Sequence, residues 1–238
     1  VGNGLYRVTV KAIGDGAEYL NSDESDAVKH IIATEGLEYK LNADATAYRL
    51  KSYGTATDTD VVIAPYYENL PVTEIGISAF GYNNQIVSVT IPDGVTLINI
   101  SAFRDCTALT SITLPDGLTE IGTYAFYGCT ALTSVTLPDG LTEINAYVFR
   151  DCTALRNVTL PDGLTEIGTY AFYGCTALTS ITLPDGLTTI GYYVFENCTS
   201  LEEIVFLGTQ EEWDAIEKGR DWNQNVHENF HITCLGEE

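Results

Sequence analysis

Apolar residues recur along most of this chain in short alternating bursts. In LTSITLPDG, Leu109, Ile112 and Leu114 fall on one side and Ser111 and Thr113 on the other, which predicts a strand with one buried face. Pro115-Asp116-Gly117 then makes a tight turn: Pro presets φ, Asp bonds its own backbone and Gly accepts positive φ. LTEI (118–121) is a second short extended piece, and the segment carrying Ala125, Phe126 and Cys129 returns the chain through a compact turn.

The pattern repeats at a fixed step of 23 residues. It links Pro92, Pro115, Pro138, Pro161 and Pro184; Cys106, Cys129, Cys152, Cys175 and Cys198; and Phe80, Phe103, Phe126, Phe149, Phe172 and Phe195. Six units run from Val72 to Thr209, opening with VTEIGISAFGYNNQIVSVTIPDG and closing with LTTIGYYVFENCTSLEEIVFLGT. Units 118–140 and 164–186 differ only at Val135 against Ile181, and FRDC (Phe103, Phe149) alternates with FYGC (Phe126, Phe172), so the latest duplication copied two repeats together. A unit this short cannot bury its apolar side alone and must stack on its neighbours. The predicted fold is an α+β repeat protein, mostly β: a right-handed solenoid of six 23-residue coils, about 25–30 Å long at the strand spacing, with a cap at each end.

Composition narrows the function. Hydrophobic residues at 45% and charged residues at only 18% fit a packed core. The 11 Lys and Arg against 33 Asp and Glu give a net charge of −22, and residues 72–201 hold only Arg104, Arg150 and Arg156 as cations. Binding nucleic acid through its phosphates is thereby excluded, and an anionic membrane would repel the chain. No apolar run reaches the ~18 residues of a membrane span, and no signal peptide is recognisable. The chain contains no Met, even at position 1, as expected of a processed or trimmed piece of something longer.

The pattern LTxIxxxAFxxCTxLTxIxLPDG over residues 72–209 resembles the 23-residue leucine-rich repeats of the BspA-like class of bacterial surface proteins. DTDVVIAPYYENLPVTEIG is similar to that family's opening coil, and FLGTQEEWDAIEKGRDWN with the terminal Cys to its closing cap. The resemblance implies a non-catalytic, secreted or cell-surface leucine-rich-repeat protein for adhesion or protein–protein binding. Its partners would be extracellular or host proteins, such as matrix or plasma proteins. No cofactor is expected, and the chain is expected to be a monomer.

The flanks divide the rest. Residues 1–34 read as a β-hairpin (YRVTVKAI, GDG, AVKHII) resembling the last strands of a bacterial Ig or fibronectin-III-like module; a lone hairpin is marginal in water, so this is expected to be the remnant of an upstream domain. Residues 35–71, with GLEYKL and TAYRLKSYG around the polar NADA, read as a hairpin cap over the first coil. Residues 72–209 are the repeats, and 210–238 a closing cap. There Thr209 and Glu212 fit a capping box, Trp213 and Ile216 share a helical face with Trp213 closing the core, and Gly219 stops the helix.

Several constellations invite chemistry. HENFH, His227 to His231, matches the zincin pattern H-E-x-x-H, which requires a helix. FHITC alternates like a strand, however, so the motif reads as part of the closing cap. The five repeat cysteines read as buried thiols packed as small hydrophobes, with Cys234 the odd one out. Asp93, Asp116, Asp139, Asp162 and Asp185 could be a calcium ladder but fit turn chemistry better at one carboxylate per coil; Glu120, Glu143 and Glu166 read as a solvated row. Asn157 and Asn197 head glycosylation sequons. No catalytic or metal residue is assigned.

Two surfaces remain as candidate binding sites. The strand face, concave in leucine-rich repeats generally, shows Ser111, Thr113, Ser134, Thr136, Asn157, Thr159, Ser180 and Thr182, flanked by Arg156 and by Glu202 and Glu203. The opposite flank carries Tyr124, Tyr127, Tyr147, Tyr170, Tyr173, Tyr192 and Tyr193, which suit glycan stacking or a structural ladder. The alternatives to adhesion are therefore a carbohydrate-binding module using these tyrosines, or a spacer within a larger surface protein.

Overall fold

The computed structural model describes residues 33–237; the hairpin reading of residues 1–34 lies, except for its last two residues, outside them. Each 23-residue unit makes one coil with three walls around a single core. The strand wall comprises Asp60–Val62, Ser88–Thr90, Ser111–Thr113, Ser134–Thr136, Asn157–Thr159, Ser180–Leu183, Glu203–Phe206 and His231–Cys234. These strands are parallel where they pair, and within the repeats identical positions meet, as in Ser88↔Ser111 and Ser134↔Asn157. The wall therefore extends one rung beyond the six units at each end. Those outer rungs pair across 28 residues (Asp60↔Ser88, Glu203↔His231), because extra chain is looped out before the rung is completed.

The second wall is built from two-residue strands such as Glu120–Ile121, Glu143–Ile144 and Glu166–Ile167, their isoleucines buried and their glutamates exposed. At its N-terminal end Leu70–Ile75 pairs with Tyr48–Ser52, which turns antiparallel onto Glu38–Leu41. The hairpin that the alternation around NADA predicts is therefore present, and it prolongs this wall.

The third wall, expected only as a return turn, is as regular as a sheet. Alternate residues bond within and between coils: Cys129 N–H donates to Phe126 O three residues back (3.2 Å), while Phe126 N–H donates to Val148 O on the next coil (3.0 Å). This alternation requires left-handed backbone, found at Tyr124, Tyr147, Tyr170 and Tyr193 (φ 62, 63, 59 and 59°).

Inside, Phe80, Phe103, Phe126, Phe149, Phe172 and Phe195 form an unbroken stack, with centroids 5.0–5.6 Å apart and planes within 11° of parallel. All six are fully buried, each stabilising the coil by about 1.5–3 kcal/mol in area terms. The repeat cysteines lie beside them, each thiol donating to a phenylalanine carbonyl 26 residues earlier (Cys129 Sγ to Phe103 O, 3.1 Å).

At the C-terminal end the capping box forms as expected, with Glu212 N–H donating to Thr209 Oγ1 (3.2 Å) and Thr209 N–H to the Glu212 carboxylate (2.9 Å). The helix stops earlier than its sequence suggests, spanning Gln210–Ala215. Glu217–Lys218 instead pair with Thr189–Ile190 as another rung of the second wall, and ladder bonds displace helical ones. Gly219 is consequently a close-approach residue rather than a helix stop: its N–H donates to Ile190 O (2.7 Å), and a Cβ there would lie 2.5 Å from Gly191 C. Trp213 is buried against Phe206 and Trp222 and seals this end.

Candidate binding surfaces

On the strand wall the inward residues are core and the outward ones are Ser111, Thr113, Ser134, Thr136, Asn157, Thr159, Ser180 and Thr182, all exposed. Arg156 is exposed beside them. The ladder is interrupted at two of its seven junctions: strand pairing lapses between Ser111–Thr113 and Ser134–Thr136, and again between Asn157–Thr159 and Ser180–Leu183. A cleft of about 280 Å³ lies at the first of these, lined by Ser111, Thr113, Ser134 and Thr136 over Ile112 and Val135.

At the C-terminal edge of the same wall the structure joins two sequence features that are far apart in the chain. His227 Nε2 lies 3.8 Å from Glu202 Oε1, and His231 Nε2 lies 3.6 Å from Glu203 Oε1. Glu203 also accepts from Thr233 Oγ1 (2.8 Å). HENFH is not helical: His231 begins the last strand, and the two histidines face different carboxylates instead of one metal. Among the described residues no group of three or more His, Cys, Asp or Glu side chains is arranged to hold a metal ion.

The tyrosine flank is a closed stack. Tyr124, Tyr147, Tyr170 and Tyr193 lie face to face at 4.6, 5.0 and 4.8 Å. The Arg104 guanidinium lies 5.7 Å from the Tyr124 centroid at one end, and that of Arg220 lies 5.7 Å from Tyr193 at the other, also hydrogen-bonded to the Tyr193 hydroxyl. The ring faces are thus turned to one another or to a cation. Tyr127 and Tyr173 join edge-on, and Tyr192 stands 55% exposed outside the stack.

The pattern described as BspA type leucine rich repeat region matches residues 73–202 in six copies. The chain belongs to the BspA-type leucine-rich-repeat family. Among solved structures, the T. pallidum leucine rich repeat protein TpLRR is 33% identical over 72% of this chain and 83% of its own, with a TM-score of 0.66. A leucine-rich repeat protein from Eubacterium ventriosum shares the fold at 24% identity and a TM-score of 0.64, over 82% of this chain and 51% of that one, so the chain spans about half of that relative. No curated protein matches the sequence.

Within this BspA-type solenoid, two residue types of the FRDC and FYGC alternation that the sequence alone does not single out organise the tyrosine flank. Arg104 and Arg150 each enter the rings of the next coil: Arg150 lies 4.5 Å from the Tyr173 centroid and 5.1 Å from that of Tyr170. Each arginine is oriented by the aspartate that follows it, Arg104 by Asp105 and Arg150 by Asp151, both at 3.2 Å. Those aspartates overlie Gly128 and Gly174 of the next coil, where a Cβ would sit 2.3 and 2.6 Å from a carboxylate oxygen. FRDC and FYGC coils therefore fit one another as complementary partners, and the 23-residue spacing of Arg and Tyr in adjacent units was the available signal.

Proposed function

We propose that this BspA-type chain is a non-catalytic protein-binding module displayed outside the cell, and that its strand wall is the recognition surface. The observation that carries the reading is the C-terminal edge of that wall. There Glu202, Glu203, His227 and His231 add a charged cluster, drawn from two rungs, to a face made mostly of Ser and Thr. Exposed hydroxyls on a rigid parallel ladder offer donors and acceptors at fixed spacing, and the acidic edge supplies specificity through charge. The tyrosine flank is the weaker surface for a glycan, because the rings of Tyr124, Tyr147, Tyr170 and Tyr193 stack on one another and on arginines.

The test is an array of matrix and plasma proteins probed with the purified chain at physiological salt. A saturable protein partner is expected, bound at least tenfold more weakly by the double variant Glu202→Lys, Glu203→Lys and little affected by Asp185→Asn on the turn. Binding that survives the charge reversal would sink the strand-wall reading and place recognition elsewhere on the chain, and retention of no protein at all would leave the spacer role.

A further inference from the structure

Among near-identical coils, the residues that break the pattern are those the coil itself does not require. The first unit breaks it most, carrying Tyr82, Asn83, Asn84 and Gln85 where the second carries Asp105, Cys106, Thr107 and Ala108. The position of Tyr82 is occupied in later units by Asp105, Gly128, Asp151, Gly174 and Asn197, and all of these have left-handed backbone. Tyrosine holds such backbone elsewhere in the turn wall, at Tyr124, Tyr147, Tyr170 and Tyr193, but at this position the other five units carry only Asp, Gly or Asn. A large exposed ring where every other unit carries a small residue is not required by the coil, which points to use of the side chain.

The surroundings fit a ligand. The Tyr82 ring is 66% exposed and, among the described residues, pairs with no other ring; Arg104 lies 5.6 Å from its centroid. Asn83 Oδ1 accepts from the backbone N–H groups of Gln85 (2.9 Å) and Ile86 (3.2 Å). The side chains of Asn84 and Gln85 are exposed, and their amides bond no other described residue. Across from them stands Glu38 of the hairpin cap, its carboxylate held by Lys51 Nζ (2.8 Å) and Ser52 Oγ (2.9 Å). A shallow, open cleft of about 680 Å³ lies between cap and first coil, suited to a ligand laid along the surface.

We propose that this cleft binds a short, uncharged oligosaccharide, with Tyr82 as the stacking platform. A sugar ring has an apolar C–H face that packs on an aromatic ring and a rim of hydroxyls that planar amides and carboxylates can bond in pairs. Asn84, Gln85 and Glu38 supply those groups. A neutral ligand is favoured because the local charges are already matched, Glu38 with Lys51 and Arg104 with Asp105. The site lies off the strand wall and stands independently of the protein-binding reading.

The test uses the full chain on an array with plant and microbial wall oligosaccharides on one half and animal mucin-type glycans on the other. Tyr82→Asn removes the ring while installing the residue that position 197 carries at the same φ, so the coil is expected to fold with an undiminished melting temperature. The expected result is a saturable glycan signal on either half, the half identifying the source, that falls at least tenfold in Tyr82→Asn and persists in Tyr82→Phe. The proposal is overturned if the native chain retains no glycan, or if Tyr82→Asn binds as well as the native chain. It is equally overturned if the variant loses a protein partner instead of a sugar.

Discussion

Gly128 and Gly174 have φ of +70°, and each lies under a carboxylate of the preceding coil. Gly128→Asp is expected to destabilise the chain by about 1–3 kcal/mol through overlap of the new Cβ with the Asp105 carboxylate and through charge opposition. Adding Asp105→Gly should recover much of that loss, and urea unfolding of the single and double variants measures both. The glycine was visible in FYGC, but its reason was not, since the clashing atom belongs to a residue 23 positions away. The buried thiols make a second residue-scale prediction. Burial pushes Cys106 and Cys198 from 9.0 up to about 12, so the folded chain holds protons that the unfolded chain releases. Stability from these groups is therefore complete below pH 9 and falls as pH rises from 9 toward 12. At neutral pH, a thiol reagent should label the repeat cysteines only after denaturation, and equilibrium unfolding at pH 7 and pH 10 should show the lower midpoint at pH 10.

At the scale of the element, the turn wall gains most from the structure. Its alternating hydrogen bonds and left-handed tyrosines leave no signature in the hydrophobic pattern, so the sequence predicts only a connection there. What appeared in sequence as a row of tyrosines with isolated arginines is one continuous stack from Arg104 to Arg220. Arg150, which lies over four rings, is the place to test it. Arg150→Ala should cost about 1–2 kcal/mol and Arg150→Lys should recover only part, because a planar guanidinium stacks where an ammonium does not. Thermal unfolding in low and high salt distinguishes this from a surface ion pair, whose contribution salt would screen away. The short helix teaches the opposite lesson. Its start was legible in Thr209 and Glu212, whereas its end was set by pairing of Glu217–Lys218 with residues nearly 30 positions back.

The whole molecule follows from its period. The recurrence of Pro, Cys and Phe every 23 residues was enough to predict coil, core and stacking, because a repeated unit has its neighbour's sequence as its environment. The outer rungs were less legible, since their pairing spans 28 residues and their sequences share little with the repeat. The complementary coils make a further prediction. Removing residues 118–163, one FYGC and one FRDC unit, sets the second unit against the fifth and preserves the Arg–Tyr and Asp–Gly contacts. Removing residues 118–140 alone sets Arg104 and Asp105 against Arg150 and Asp151. The two-coil deletion should unfold cooperatively at a temperature near that of the parent, and the one-coil deletion well below both, as followed by circular dichroism.

Backbone hydrogen bonds between coils occur on all three walls. Because they join one coil to the next, they lie along the direction in which the coils stack. Tension applied between the two ends of the stack would therefore load them a coil at a time, each detached coil paying out its own length of chain before the next is engaged. The chain would respond to a pull as a series of equal small yields, the behaviour of a tether that absorbs a tug without parting.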